Sequence, residues 1–193
     1  MIISEKNKIA FIAIPKTGTR SVYSILIEHI GGKLLQEHGF KVPAKYEEYY
    51  TFTVVRNPYD RLVSAWWSTT QRDGDRYGYV KELKGDTSFL NYCKNLKRFE
   101  NKIIPHLQPQ CNWFNNRIDK IIRYENINEE WLDLPFNTSK QPLPHKNPTT
   151  MVASNNSIPR DHYSTYLNDE IISIINQRYN QDFIKFGYDF YTK

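Results

Sequence analysis

The sequence predicts an α/β fold in which a mainly parallel, doubly wound sheet is flanked by helices. Three observations carry that expectation. Residues Lys8–Ile14 (KIAFIAI) and Tyr50–Arg56 (YTFTVVR) are short runs rich in β-branched and aromatic side chains, as expected of strands covered on both faces. Each leads into a segment whose apolar residues recur at helical spacing. Between the first strand and its helix lies PKTGTRS, a turn suited to an anion, and strand, anion turn and helix in that order open a doubly wound sheet.

Each element has its own signal. In the first helix, Ser21–Ile30, Val22, Ile25, Leu26 and Ile30 fall on one face, and Gly31 and Gly32 end it. The second helix has the stronger start: Asn57 can cap it, Pro58 suits the first helical position, and the charge of Asp60 favours the dipole. Leu62, Val63, Ala65 and Trp66 carry it to about Thr70. The segment Gln71–Asp86 is charged and contains Gly and Tyr, and reads as a surface loop or lid. Thr87 or Ser88 then caps a helix reaching about Lys97. Lys120–Tyr124 (KIIRY) is a third strand and Glu129–Leu134 a helical turn. Asn137–His162, with Pro142, Pro144, Pro148 and Pro159, is too proline-rich for regular structure, and its length suits a functional loop. Asn168 caps a last helix over Asp169–Tyr179, and Gly187 stops the turn that follows.

Composition bounds the rest. A chain of 193 residues suits a single domain, 1–193, and 39% hydrophobic with 15% aromatic residues excludes a disordered chain. The net charge of +5 favours an anionic partner, yet the 26 Lys and Arg are interspersed with 21 Asp and Glu, so no basic run singles out nucleic acid. Cys93 and Cys111 lack Cys-x-x-Cys spacing, and His29, His106, His145 and His162 lack metal-ligand spacing, so neither a redox pair nor a metal is expected. The N-terminus carries no cleavage signature and no segment approaches the roughly 18 apolar residues that span a bilayer, so the chain reads as soluble and cytoplasmic.

The turn after the first strand is the centre of the functional reading. A helix N-terminus offers backbone N–H groups and partial positive charge, so the amides of Thr17–Ser21 can cradle a phosphate, and Gly18 admits it close to the backbone. Arg20 in the first turn opposes the dipole by about 0.3–1 kcal/mol, a conflict that a bound anion removes. The loop of nucleotide triphosphatases, G-x-x-x-x-G-K-[ST], fits poorly: Lys16 precedes Gly18, no earlier glycine opens the loop, and no strand ends in a clear magnesium ligand.

Pro15-Lys16-Thr17-Gly18-Thr19-Arg20-Ser21 after one strand and Arg56-Asn57-Pro58-Tyr59-Asp60-Arg61-Leu62-Val63-Ser64-Ala65-Trp66 after another resemble the sulfotransferases, and among them the carbohydrate sulfotransferases acting on chondroitin, dermatan and related glycans. PHLQPQ (105–110), RYEN (123–126), LPHKN (143–147) and DFIKFGYDF (182–190) look like further landmarks of that family. Arg20 stands where a small or hydroxyl residue is usual, and the segment 149–159 departs from the pattern.

The resemblance implies a P-loop-like three-layer sandwich and transfer of a sulfuryl group from PAPS (3'-phosphoadenosine 5'-phosphosulfate) to a hydroxyl, with PAP as product and no metal. Carried over, Lys16, Thr17, Gly18, Thr19, Arg20 and Ser21 hold the 5'-phosphosulfate, while Arg56 and Ser64 bind the 3'-phosphate. Arginine at a strand's end can fork onto phosphate oxygens. The reaction needs a cation for the leaving phosphate and a base for the acceptor proton. Lys16 suits the first task; His38, between the two motifs and with a reference pKa of ~6.5, suits the second, and Glu37 is the alternative base. Lys146 and Arg160 are candidates to close over nucleotide or acceptor. Two other readings are a P-loop-like small-molecule kinase, which tight ATP binding with magnesium would support and metal-independent PAP binding would exclude, and a non-enzymatic anion-binding module for nucleic acid or acidic glycan, against which the paired motifs argue. The acceptor, read as a glycan or small molecule, is not specified by the residues.

Overall fold

In the computed structural model, which describes residues 1–37, 39, 41–72, 78–100, 105–113, 117–144 and 160–191, the two apolar runs are strands as their composition predicts. The elements in chain order are β1 (Ile2–Ser4), β2 (Ile9–Ile12), α1 (Thr19–Glu28), β3 (Lys33–Leu34), β4 (Tyr50–Val55), α2 (Pro58–Trp66), α3 (Tyr79–Glu82), α4 (Phe89–Lys94), α5 (Leu96–Glu100), β5 (Lys120–Arg123), α6 (Ile127–Leu132), α7 (Asp169–Arg178) and α8 (Asn180–Phe186), with short 3₁₀ turns between them. They belong to two compact units, one built from Met1–Arg56 and Gln110–Lys146, the other from Asn57–Pro109 and Asn147–Lys193.

The first unit holds a mixed five-stranded sheet in the order β3-β1-β2-β4-β5. Strands β2, β4 and β5 run parallel, with Phe11 beside Phe52 and Val54 beside Ile122. Strand β1, too short to show a period in the sequence, pairs antiparallel with β2 and carries the edge strand β3. Parallel neighbours need a crossover, and α1 lies within the one from β2 to β4.

Phe11 and Phe52 stack with centroids 4.9 Å apart, and Val22, Ile25 and Leu26 of α1 join them with Trp131 and Leu134 in one buried cluster. Aromatic packing here extends to Phe136, 5.3 Å from Phe52. The indole of Trp131 donates to the Gln141 carbonyl (2.9 Å), as a buried Trp N–H requires. Gly32 N–H returns to the Leu26 carbonyl (2.7 Å) and ends α1 two residues before the expected Ile30, at Glu28.

The second unit is helical. Asn57 Oδ1 accepts from Tyr59 N–H (3.0 Å) and caps α2, whose first residue is Pro58. Beyond Trp66 the chain continues in a wider π-type turn over Trp67–Arg72, where the hydroxyls of Thr69 and Thr70 donate back to the carbonyls of Ala65 and Trp66. Ser88 and Asn168 cap α4 and α7. The core gathers Tyr59, Leu62, Val63 and Trp66 with Tyr92, Ile171, Ile175 and Phe183.

The expected surface loop or lid at Gln71–Asp86 lies in part outside the described residues; of its remainder, 84–86 are an exposed turn, whereas Tyr79–Glu82 form α3 and Tyr79 and Leu83 are buried in this core. Arg160, on the expected late loop, pairs with Asp60 at the start of α2 (2.9 Å), with the side chains 9% and 14% exposed. At the C-terminal end of α8, Gly187 takes the left-handed conformation (φ 64°) that stops the helix.

Candidate functional site

At the carboxyl end of β2 the chain turns through Ala13–Gly18 before α1 begins. Thr17 is fully buried and its hydroxyl donates to the Ile14 carbonyl (2.8 Å), which folds the turn on itself. Two successive features set the backbone: Lys16 has φ 71°, a left-handed conformation uncommon for a side-chain-bearing residue, and Gly18 has φ 78° as the N-cap of α1. Gly18 brings no side-chain acceptor to the helix end, and the first turn has no acidic residue. A negative ligand is therefore the natural complement to this end of the dipole. Lys16, Thr19 and Ser21 are half-buried beside it, and Arg20 is exposed.

Arg56 follows the carboxyl end of the neighbouring strand β4 and is 7% exposed. Its backbone is held twice by Gln110, fully buried: Arg56 N–H donates to Gln110 Oε1 (2.9 Å), and Gln110 Nε2 donates to the Arg56 carbonyl (2.8 Å). From that anchor the guanidinium Nη1 donates to the Lys16 carbonyl (3.1 Å). The guanidinium carbon also lies 4.1 Å from the ring centroid of Tyr124, the residue after β5. The same ring covers Gly18, where an added Cβ would meet Tyr124 Cε2 at 2.8 Å.

Loop, arginine and tyrosine thus meet at the carboxyl ends of three adjacent parallel strands, where ligands bind in open α/β sheets. The guanidinium, the amides of a helix end and a lysine together can hold a phosphate or sulfate group. Of the residues the motifs single out, Lys16, Thr17, Gly18, Thr19, Arg20, Ser21 and Arg56 are brought together. Ser64 is half-buried on α2 in the other unit. Glu37 is exposed, with its carbonyl accepting from the Tyr23 hydroxyl (3.2 Å). His38, His145 and Lys146 lie outside the described residues. Arg160 is engaged by Asp60.

Among the described residues no group of three or more His, Cys, Asp and Glu side chains is placed to hold a metal ion, and no helix is long and apolar enough to cross a membrane. Two residues of the site, Gln110 and Tyr124, carry no chemical signal of their own in the sequence; the only pointer was their position in PHLQPQ and RYEN. Residues 1–189 match the model of the sulfotransferase family. No curated protein and no solved structure matches the chain.

Proposed function

We propose, starting from the fact that the chain belongs to the sulfotransferase family, that it is a single-domain enzyme transferring a sulfuryl group from PAPS to a hydroxyl of a carbohydrate acceptor. The observation that carries this reading is the join between the Lys16 loop and Arg56, two anion-binding elements on neighbouring strand ends tied by the bond from Arg56 Nη1 to the Lys16 carbonyl. A nucleotide with phosphates on both sides of its ribose needs such a pair. PAPS supplies a sulfuryl group on a good leaving phosphate.

The chain's own residues do the remaining work. The amides from Thr17 to Ser21 and the left-handed turn at Gly18 hold the 5' end, Lys16 stabilises charge on the departing phosphate oxygen, and Arg56 with Ser64 holds the 3'-phosphate. His38 accepts the acceptor's proton as the new O–S bond forms and the bond from sulfur to the 5'-phosphate oxygen breaks. The fold of this reading is the P-loop-like three-layer sandwich, and its site uses no metal. The likeness of both motifs to glycan-modifying enzymes supports a sugar hydroxyl as acceptor.

Labelled PAPS offered with a panel of glycans, lipids and phenols tests the reaction, with sulfate expected on a glycan. In parallel, PAP binding is measured calorimetrically in excess chelator, where saturable binding is expected. Failure to bind PAP, or tight binding of ATP that requires magnesium, would sink the reading. Transfer only to phenols or lipids would overturn the carbohydrate acceptor alone.

A further inference from the structure

Tyr124 has no assigned part in binding or chemistry, yet two elements of the site converge on its ring. One face carries the Arg56 guanidinium, 4.1 Å from the centroid. The ring edge covers Gly18 so closely that any Cβ there would stand 2.8 Å from Cε2 and 3.1 Å from Cδ2. Arg56 has a long side chain with several rotatable bonds, and fixing it loses rotamer entropy unless something orients it beforehand. Its backbone is fixed by Gln110 and one nitrogen by the Lys16 carbonyl, and the Tyr124 ring lies flat beneath the guanidinium carbon, a contact that favours one plane for the group.

We propose that Tyr124 is a positioning residue: its ring orients Arg56 against the Lys16 loop, so that the arginine meets the nucleotide's phosphate without being reordered. This rests on the nucleotide reading above and deepens it. The flat face does this work, because a guanidinium stacks on an aromatic ring through its quadrupole and planar contact. The hydroxyl is not required. Tyr124 acts through Arg56, so its removal affects the phosphate that Arg56 meets more than the rest of the nucleotide.

The test measures PAP and adenosine 5'-phosphate affinities by calorimetry for the wild type, Tyr124→Phe, Tyr124→Leu, Arg56→Ala and the double variant Tyr124→Leu/Arg56→Ala, each confirmed folded by circular dichroism. Tyr124→Phe is expected to stay within about twofold of wild type, and Tyr124→Leu to lose PAP affinity roughly tenfold while adenosine 5'-phosphate changes less than about threefold. In the Arg56→Ala background, Tyr124→Leu is expected to add less than about a twofold loss. Tyr124→Met, which fills the same volume without a flat face, carries the same expectation should the leucine variant not fold.

Equal losses for both nucleotides, or additive losses in the double variant, overturn the positioning role while leaving the nucleotide reading intact. Failure of the wild-type chain to bind PAP overturns both.

Discussion

Gln110 holds Arg56 from both sides of its backbone, accepting from its N–H at 2.9 Å and donating to its carbonyl at 2.8 Å. Arg56 stands just past the end of β4, and there one buried amide supplies both of these backbone bonds. The guanidinium is therefore anchored at its base as well as at its tip. Gln110→Leu removes both bonds and is expected to lower stability by about 2–4 kcal/mol. Urea denaturation of the purified variant checks this, and a loss below about 0.5 kcal/mol would show that the bonds are replaced by others.

Gly18→Ala adds a Cβ at a φ of 78° and drives it against Tyr124. Turn and ring cannot both keep their places. We expect PAP affinity to fall at least about tenfold with a stability loss of roughly 1–3 kcal/mol, because both the left-handed turn and the close contact are disturbed. Calorimetric titration beside thermal unfolding separates the two effects, and unchanged affinity would remove Gly18 from the binding site.

His38→Ala separates chemistry from binding. With His38 as the base, the variant binds PAP as the wild type does while transfer falls by about 10²–10⁴-fold. Turnover at the wild-type rate would transfer the role to Glu37 or to solvent.

The ion pair between Arg160 and Asp60 is largely withdrawn from water, with the two side chains 9% and 14% exposed. Arg160→Met takes from Asp60 a charged partner in a place largely withdrawn from water, and is expected to lower stability by about 3 kcal/mol. PAP affinity should move less than twofold, since the guanidinium is occupied within its own unit; a larger loss of PAP binding at constant stability would assign Arg160 to the nucleotide instead.

The two thiols should differ sharply. Burial pushes the Cys93 thiol up, and only 2% of its surface is exposed, while Cys111 is half-buried. Thiolate is the reactive form, so near pH 8 a disulfide reagent such as DTNB is expected to modify Cys111 in the native chain and Cys93 only after denaturation. Rapid reaction of both native thiols would contradict the packing of α4.

The parts of the fold written in local sequence were legible. Strands β2, β4 and β5 follow from compact β-branched runs, and α2 starts at Pro58 because Asn57, Pro58 and Asp60 each favour that position for a different reason. The unread parts depend on distant partners. Strand β1 is three residues long and exists because Ile2 and Ile3 pair with β2 and β3. Tyr79 lies in a segment whose charges and glycines resemble a loop, and only the core that surrounds it makes it a helix residue. The site divides in the same way. Lys16, Gly18 and Arg56 were visible because charge and glycine at strand ends imply an anion, whereas Gln110 and Tyr124 act on Arg56 from far along the chain through contacts that no local pattern encodes.

That distance orders events in time. A nascent chain that has emerged only as far as Pro109 already carries the Lys16 loop and Arg56, yet it lacks β5, the glutamine that anchors Arg56 and the ring that orients it. Between β4 and β5 of the sheet the ribosome must first deliver Asn57–Pro109, a segment that belongs to the other unit. The contacts that hold Arg56 against the Lys16 loop are thus completed only once residue 124 has been made, and a product terminated before Gln110 has the lysine and the arginine without the amide and the ring that hold the arginine in place.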